Sequence, residues 1–523
     1  MTSRSTEIST TGTPVLDCVV IGTGFAGICM GVHLEKTKNL EYRILEKEDA
    51  IGGTWRDNTY PGAACDVQSH LYSFSFEPNP KWNRNFAEQG EILEYMNHCV
   101  DKYGIRKNIR FRSEVTGLYY QETKGIWEIH LRDGSSLQSK TVVSGNGGLS
   151  RPKIPDFPGL KDFQGKFFHS ARWDHKYALE NRKVAVIGTG ASAIQIVPAI
   201  AKKVESLTLF QRHPAWIIPK PDKAISELEK MLFANIPIFQ ILQRELIYWS
   251  LEFRVLALSY YPQVMKLFQK LAENFIKESI PDLQLREKVT PNYLIGCKRI
   301  LLSNDFYPTL NRKNVSVNVD GISKFTKNGI VDSKGVETKL DCVIAATGFL
   351  VSEAGTPFEV VGKNKTNLNE VWDKTGAEAY LGTCISDFPN FFIMTGPNTG
   401  LGHNSMIYMI ESQTNLVMDA IQKIKSEHLH SIEVKKEVQK KYNEELTRRL
   451  SNTVWSESCG SWYLTATGKN TTIWPGFTFE FRERTRSLRP TEFLIQKDAG
   501  KTFEASPFDD LVSVAKGVIS RFG

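Results

Sequence analysis

The sequence has 523 residues, which is too long for one hydrophobic core and predicts two or three domains. Its apolar share of 41% and charged share of 24% are ordinary for a globular enzyme. The net charge of +7 is spread along the chain without a long basic run, which argues against a nucleic-acid-binding protein. The eight cysteines form no CxxC pair and no metal-like cluster with histidine, so we expect reduced thiols and no metal site.

The N-terminal segment 1–13 is rich in Ser and Thr and lacks the apolar core of a signal peptide. We therefore expect a cytoplasmic protein.

The first predicted unit spans residues 15–46. The apolar run 15–21 predicts a strand, the turn contains Gly22, Gly24 and Gly27, and 28–36 predicts a helix. The next strand ends at Glu46, whose carboxylate suits the ribose hydroxyls of an adenosine that lacks a 2′-phosphate. At the N-terminal position of a chain with two such units, this pattern is typical of FAD.

An irregular loop, 52–66, follows and holds Trp55 and Asp66 among glycines and a proline. The alternative interpretation is a surface loop with a packed tryptophan and a capping aspartate. A helix is predicted at 91–102 and strands at 109–111, 117–120, 127–132 and 137–143, with a hairpin turn at Asp133 and Gly134 between the last two strands. The proline-rich segment 151–159 predicts a linker between domains.

A second unit with the same spacing spans residues 183–212. The turn contains Gly188 and Gly190, and Ala193 replaces the third glycine. Gly190 lets the backbone approach a pyrophosphate, and the free N–H groups at the helix N-terminus can bind the phosphate oxygens. The following strand ends at Arg212 instead of an acid, which suits the 2′-phosphate of NADPH. The two matching units together indicate a chain that binds both FAD and NADPH.

Segment 222–290 has helical periodicity and many aromatic residues, but no run of about 20 apolar residues that could span a membrane. We expect a helical insert packed on the NADPH domain, with a peripheral membrane contact as the alternative. Further strands are predicted at 296–302, 315–317 and 342–349, and helices at 412–425 and 434–450. Segment 453–477 carries three tryptophans in an irregular stretch, which favours a lid loop.

Two sequence patterns resemble the fingerprints of the Baeyer–Villiger monooxygenases. The pattern FxGxxxHxxxW(P/D) is matched by Phe163, Gly165, His169, Trp173 and Asp174. The pattern GGxWxxxx(F/Y)PGxxxD is matched across loop 52–66 by Gly52, Gly53, Trp55, Tyr60, Pro61, Gly62 and Asp66. With both glycine units, the resemblance covers nearly the whole chain.

The resemblance implies an enzyme that uses NADPH and O₂ to convert ketones to esters or lactones through a C4a-peroxyflavin. It implies that Arg299 stabilises this anion and that Asp66 orients Arg299. It places Thr54, Trp55, Asp66, Tyr72 and Val115 on FAD, and Gln195, Lys298 and Trp462 with Arg212 on NADP. It also implies that His169 couples movement of the NADPH domain to the active site.

The predicted fold class is α/β, with two Rossmann-like dinucleotide-binding domains for FAD and NADPH and a helical insert in the latter. The FAD domain comprises 1–150 and 386–523, with the lid loop at 453–477. The NADPH domain comprises 151–221 and 291–385, and the insert comprises 222–290. The expected partners are a small ketone and O₂, without nucleic acid or stable membrane insertion, for a monomer or weak homo-oligomer.

Three alternative functions stay open at this point. An oxygenase acting on amines or sulfides would share almost all of these features. A disulfide reductase has similar nucleotide units but requires a CxxC pair that the sequence lacks. A flavin-binding sensor would bind the cofactors without acting on any ketone. The aromatic residues favour apolar ketones, aryl or cyclic.

Overall fold

The computed structural model describes residues 14–351, 356–457, 459–497 and 501–519. The N-terminal segment 1–13, from which the absence of a signal peptide was inferred, lies outside these ranges. In the described part, two domains of sheet and helix carry the two glycine turns, the first around a mixed sheet and the second around a parallel one, so the predicted α/β fold is confirmed.

The first domain begins with the predicted strand, turn and helix. Its N-terminal elements are β1 (Val15–Ile21), α1 (Phe25–Lys36), β2 (Tyr42–Leu45), α2 (Thr54–Asp57), α3 (Gln89–Lys102), β3 (Ile109–Arg110), β4 (Val115–Gln121), β5 (Ile126–Leu131) and β6 (Ser136–Ser144). β1 pairs in parallel with β2 and with β6. β5 and β6 form the predicted antiparallel hairpin, in which Gly134 has a φ of 82°. This positive φ explains why the turn carries glycine.

The second domain repeats the arrangement. Its first elements are β7 (Lys166–His169), β8 (Lys183–Ile187), α4 (Ala191–Ile200), β9 (Ser206–Phe210) and β10 (Ile217–Ile218). Four of the five residues of β8 are buried, as expected for a central parallel strand covered on both faces.

The insert comprises the helices α5 (Glu227–Asn235), α6 (Pro237–Glu252), α7 (Met265–Ser279) and α8 (Leu283–Val289). Ser226 and Glu229 form a capping box at the start of α5. α5 and α6 contribute buried residues to the core of the first domain, whereas α7 packs into the core of the second. The expectation that the insert packs on the NADPH domain is therefore incomplete, because the helices contact both domains.

The chain then completes the second domain. The elements of this segment are β11 (Leu301–Leu302), α9 (Phe306–Leu310), β12 (Val315–Asn318), β13 (Ile322–Thr326), β14 (Gly329–Asp332), β15 (Glu337–Lys339) and β16 (Cys342–Ala345). The sheet order is β12-β9-β8-β16-β7, with all pairs parallel. Segment 296–300, predicted as part of a strand, is an irregular turn, and only the two residues of β11 pair with β10.

The last elements return to the first domain. They are β17 (Glu359–Val361), α10 (Leu368–Thr375), β18 (Phe391–Ile393), α11 (Met406–Ser426), β19 (Leu429–Val434), α12 (Lys436–Leu450), α13 (Thr478–Arg484), β20 (Phe493–Lys497), β21 (Lys501–Phe503) and α14 (Pro507–Ile519). The first sheet has the order β17-β4-β5-β6-β1-β2-β3, and β18 also pairs with β6. β17 pairs with β4, so the chain has rejoined the first sheet by residue 359 and the boundary expected at 386 is too late.

Two connections between the domains pair with each other. The backbone N–H of Lys153 donates to the carbonyl of Gly348 at 2.9 Å, and that of Leu350 donates to the carbonyl of Arg151 at 2.9 Å. The outgoing and returning segments thus form a short two-stranded connection between the domains.

The predicted reduced state is wrong for two of the eight cysteines. Cys297 and Cys459 form a disulfide that joins positions 162 residues apart. The other six cysteines are free and buried. The spacing of the cysteines in the sequence did not predict this disulfide, because Cys297 and Cys459 approach each other only in the tertiary fold.

Among the helices of the described ranges, none has the length and apolar character that crossing a bilayer requires.

Candidate active site

The turn after β1 has the shape of a pyrophosphate cradle. Gly22 has a φ of 96°, and a Cβ on Gly27 would collide with the Gly22 carbonyl, so both positions require glycine. A Cβ on Gly24 would meet no atom within 4 Å. Gly24 is also the N-cap of α1, and it caps this helix without a side-chain hydrogen bond. The open space and the helix N-terminus together fit a diphosphate.

Glu46 lies buried at the end of β2, where the sequence placed it. One carboxylate oxygen accepts from the Thr23 backbone N–H at 3.0 Å and from the Thr23 hydroxyl. The other accepts from the Glu48 N–H at 3.0 Å and lies 3.0 Å from Arg56 Nη1. These four partners fill the lone-pair sites of a carboxylate. A bound ribose would therefore have to replace one of them.

Loop 52–66 places aromatic side chains beside the first glycine turn. The Trp55 indole N–H donates to the Tyr72 hydroxyl at 3.1 Å, and the Tyr72 ring contacts Phe25 of α1 edge-on at 5.3 Å. Thr54 is exposed at the start of α2, and Val115 is buried at the start of β4. Trp55 and Tyr72 thus form one cluster with the turn, whereas Val115 lies in the separate core around β4.

The second glycine turn has the same open centre. Gly188 has a φ of 119°, a Cβ on Gly190 would meet no atom within 4 Å, and Ala193 is fully buried on α4. Gly190 is the N-cap of α4, again without a side-chain hydrogen bond. Alanine at position 193 therefore packs in place of the third glycine while the phosphate space stays open.

Cations gather at the end of β9. Burial lowers the pKa of Lys298, and the charge of Arg212 lowers it further. The pKa of His213 is also lowered, first by burial and then by Lys298 and Arg212. The Lys298 ammonium lies over the Tyr293 ring at 4.7 Å. Arg212 and Lys298, which the sequence analysis assigned together to NADP, thus repel each other. A bound phosphate would neutralise this repulsion.

Arg299 and Asp66 form the central ion pair. Arg299 Nε donates to Asp66 Oδ2 at 2.7 Å, and Nη2 lies 2.7 Å from the same oxygen. Nη1 donates to the Leu401 carbonyl at 3.2 Å. The Asp66 carboxylate raises the pKa of Arg299, although burial opposes it. The guanidinium is therefore permanently charged and fixed, while about a third of each side chain is still exposed.

Tyr463 is a residue of this site that the sequence did not predict. It is buried, burial raises its pKa to about 12, and the nearby Arg299 lowers that pKa. Trp462, which was expected to reach NADP, is 47% exposed and contacts the Tyr463 ring edge-on at 4.7 Å. The lid loop therefore places Tyr463 next to the ion pair and Trp462 at the surface.

Gln195 joins the two domains. Its side-chain oxygen accepts from the Tyr60 hydroxyl at 3.0 Å, and its Nε2 donates to the Ala64 carbonyl at 2.9 Å. A Cβ on Gly62 would lie 2.9 Å from the Gln195 carbonyl oxygen, so that glycine permits the close approach. The predicted nicotinamide contact is thus, in this structure, a contact between α4 and loop 52–66.

The five residues of the first fingerprint support the connection between domains. His169 Nδ1 accepts from the Ala171 N–H at 3.1 Å, and Nε2 donates to the Gly348 carbonyl at 3.0 Å. A Cβ on Gly165 would lie 2.6 Å from the Asp341 carbonyl oxygen. The others pack or pair nearby: Phe163 on Phe325, Trp173 on Phe168, and Asp174 with Lys166.

The chain is similar to known monooxygenases over most of its length. A sequence model described as flavin-binding monooxygenase-like matches residues 17–358. A Baeyer–Villiger monooxygenase from Pseudomonas aeruginosa is 49% identical over 93% of each chain. One from Streptomyces coelicolor is 44% identical over 92% of each chain.

Solved structures show the same likeness. A steroid monooxygenase bound to NADP superposes with a TM-score of 0.82 at 29% identity, covering 92% of this chain and 100% of that chain. A cyclohexanone monooxygenase from Rhodococcus bound to NADP⁺ gives 0.82 at 27% identity, covering 93% and 100%. The chain therefore belongs to the flavin-binding monooxygenase-like family and, within it, to the Baeyer–Villiger monooxygenases.

Proposed function

We propose that this enzyme uses NADPH and O₂ to convert apolar ketones, aryl or cyclic, to esters or lactones, with Arg299 and Asp66 as its central site residues. The observation that carries this proposal is a permanently charged guanidinium, fixed by a carboxylate, in a chain with two dinucleotide cradles. The named substrates of the relatives, a steroid and cyclohexanone, agree with an apolar ketone.

The residues of the first domain fit FAD. Gly24 and the N-terminus of α1 would hold the diphosphate, and Glu46 would accept the ribose hydroxyls in place of Arg56 or the Thr23 hydroxyl. Bound flavin supplies the hydride acceptor and the site of O₂ activation, from which one oxygen atom enters the ketone. Trp55 and Tyr72 would exclude water on this side.

Arg299 would stabilise negative charge on oxygen during the reaction. Asp66 and the Leu401 carbonyl occupy at most three of the five guanidinium N–H bonds, which leaves at least two for an oxygen anion. The guanidinium does not lose its proton, so it would not quench the anion. Asp66 acts as a positioning residue because its contacts with Nε and Nη2 fix the orientation of the Arg299 guanidinium.

The residues of the second domain fit NADPH. Gly190 and the N-terminus of α4 would hold its diphosphate, and Arg212 with Lys298 would bind the 2′-phosphate. His169 would act as a positioning residue, since it ties the strand β7 to the returning connection at Gly348. Because the reaction consumes NADPH, we propose that the enzyme works in the cytoplasm. We propose separately that it is a monomer or weak homo-oligomer.

Product identification tests the proposed function. The enzyme, loaded with FAD, is incubated with NADPH, air and a panel of linear, cyclic and aryl ketones, with an aryl sulfide as the comparison. We expect esters or lactones from the cyclic or aryl ketones, in amounts that match the NADPH consumed. A sulfoxide as the only product would instead indicate a heteroatom oxygenase. Consumption of NADPH with release of hydrogen peroxide and no oxygenated product would contradict the proposal.

A further inference from the structure

The helical insert exposes an unusual concentration of apolar side chains. Of the thirty large apolar residues exposed in the described part of the chain, eighteen lie between positions 228 and 283. Exposed apolar patches of this extent on soluble proteins mark sites of interaction with proteins or membranes.

The helix α6 is apolar on both faces. Its inner face packs on the first domain through Ile247, Tyr248 and Leu251. Its outer face exposes Ile238, Phe239, Ile241, Leu242, Leu246 and Trp249. An apolar helix face is normally buried, but no residue of the described ranges covers this outer face.

The neighbouring helix α7 repeats this arrangement and adds positive charge. Its inner residues Met265, Ala272 and Ile276 are buried in the core of the second domain. Its outer face exposes Leu267, Phe268 and Leu271. We call the nine exposed apolar residues of α6 and α7 the insert face.

Lysines border the insert face on α7. Lys266, Lys270 and Lys277 are exposed, and none forms an ion pair with another residue of the described ranges. The exposed acids on these two helices are Glu245 and Glu278. Unpaired lysines beside exposed Leu and Phe are typical of helices that lie in the interface of an anionic membrane. A protein partner would need acidic side chains placed opposite these lysines, whereas a bilayer of anionic lipids presents negative charge over its whole surface.

We propose that the insert face docks on the surface of an anionic lipid bilayer. The apolar side chains of α6 and α7 enter the boundary between headgroups and acyl chains, and the lysines of α7 contact lipid phosphates. This contact is peripheral, because none of the helices in the described ranges qualifies as a membrane span.

The insert face continues into the lid loop. Trp249 lies 6.1 Å from the Phe479 ring, which stacks on Phe477 at 4.9 Å, and Phe477 stacks on Tyr260 of the insert at 5.6 Å. Residue 477 is the end of the lid loop. A bilayer at the insert face would therefore lie beside this loop, where an apolar ketone dissolved in lipid could enter. This consequence rests on the proposed function, whereas docking itself does not.

Vesicle sedimentation of the FAD-loaded enzyme tests docking without any activity measurement. We expect sedimentation with vesicles of phosphatidylcholine and phosphatidylglycerol, and less with phosphatidylcholine alone. Leu246→Glu with Leu271→Glu should reduce the bound fraction about tenfold, because charge would enter the apolar layer. The matched control is Val336→Glu, a position that is 60% exposed in the second domain, and it should bind as the unmodified enzyme does.

A second variant tests the electrostatic attraction of the lysines separately from the burial of the apolar side chains. Lys266→Glu with Lys270→Glu should weaken binding to the anionic vesicles and abolish its dependence on salt. All of these positions are exposed, so flavin content and melting temperature should not change and would report any misfolding. Equal binding by all variants, or no binding by the unmodified enzyme, would overturn the proposal. So would a dimer in light scattering that Leu246→Glu dissociates, because the insert face would then bind a second copy.

Discussion

The Arg299 guanidinium holds the Asp66 carboxylate through a hydrogen bond of 2.7 Å between residues 233 positions apart. Asp66 ends the loop that packs on the first glycine turn, and Arg299 lies in the irregular segment before β11 of the second domain. The pair therefore links the two nucleotide-binding halves of the chain.

Arg212 should determine the choice of NADPH over NADH. We expect Arg212→Ala to weaken NADPH binding by roughly 1.5–3 kcal/mol, the contribution of a hydrogen bond to a charged group. Binding of NADH should change little, since it has no 2′-phosphate. Steady-state KM values for both nucleotides measure the effect. Lys202→Ala, an exposed lysine on the same domain, is the control, and an equal loss for both nucleotides would refute the assignment.

His169 should make the enzyme less stable in acid. Burial lowers its pKa, and Nδ1 accepts a hydrogen bond, so the native ring is neutral. The unfolded chain then binds the proton more readily, and the stabilisation is complete above the ordinary pKa of 6.5 and lost as the pH falls below it. His169→Gln keeps an acceptor for Ala171 and a donor for Gly348.

Urea unfolding at several pH values measures this effect. The free energy of unfolding should fall more steeply between about pH 8 and about pH 5.5 for the unmodified enzyme than for His169→Gln. Parallel pH profiles would contradict this expectation, because they would show that the native ring takes up a proton as readily as the unfolded chain does.

Glu252 should anchor the insert to the first domain. Its side chain is fully buried, accepts from Asn404 Nδ2 at 2.5 Å and from the Thr478 hydroxyl at 2.8 Å, and lies 3.6 Å from His403. Glu252→Ala would leave these buried groups without their partner, at a cost of about 3 kcal/mol. The measurement is the free energy of unfolding. Glu245→Ala, exposed on the same helix, should change it by less than about 0.5 kcal/mol.

The disulfide should stabilise the lid loop. Cys459 lies in this loop, and Cys297 is two positions before Arg299. Closing a long loop typically contributes about 2–4 kcal/mol, so Cys459→Ser should lower the melting temperature. A reductant should lower the melting temperature of the unmodified enzyme to the same level and leave the variant unchanged. A variant that still responds to the reductant would show that another thiol is responsible.

Local patterns predicted the parts of the site that depend on nearby residues. The two glycine turns, Glu46 and Arg212 follow from the strand–turn–helix repeat, because a dinucleotide cradle is formed within about 30 residues. The hairpin at Gly134 and the long helices follow from turn chemistry and periodicity. These elements required no knowledge of the tertiary fold.

Contacts between distant segments could not be predicted in this way. Tyr463, the partner Arg56 of Glu46, and the disulfide all depend on how loops approach each other in space. The strand β17 has three residues, two of them incompletely buried, and gave no recognisable pattern before it joined β4. Arg299 itself was identified only by resemblance, since a lysine–arginine pair has no distinctive local signal.

Replacing Arg299 tests the central claim most directly. Arg299→Ala and the charge-retaining control Arg299→Lys are compared for NADPH oxidised, hydrogen peroxide released and ester formed with the best ketone. We expect Arg299→Ala to oxidise NADPH and release hydrogen peroxide with ester formation reduced at least about 100-fold, the scale on which loss of a positioned charge-stabilising group acts. Arg299→Lys should keep the positive charge but lose the paired contacts of two guanidinium nitrogens with Asp66. We therefore expect it to form ester at an intermediate rate. Ester formation by Arg299→Ala at the rate of the unmodified enzyme would contradict the account.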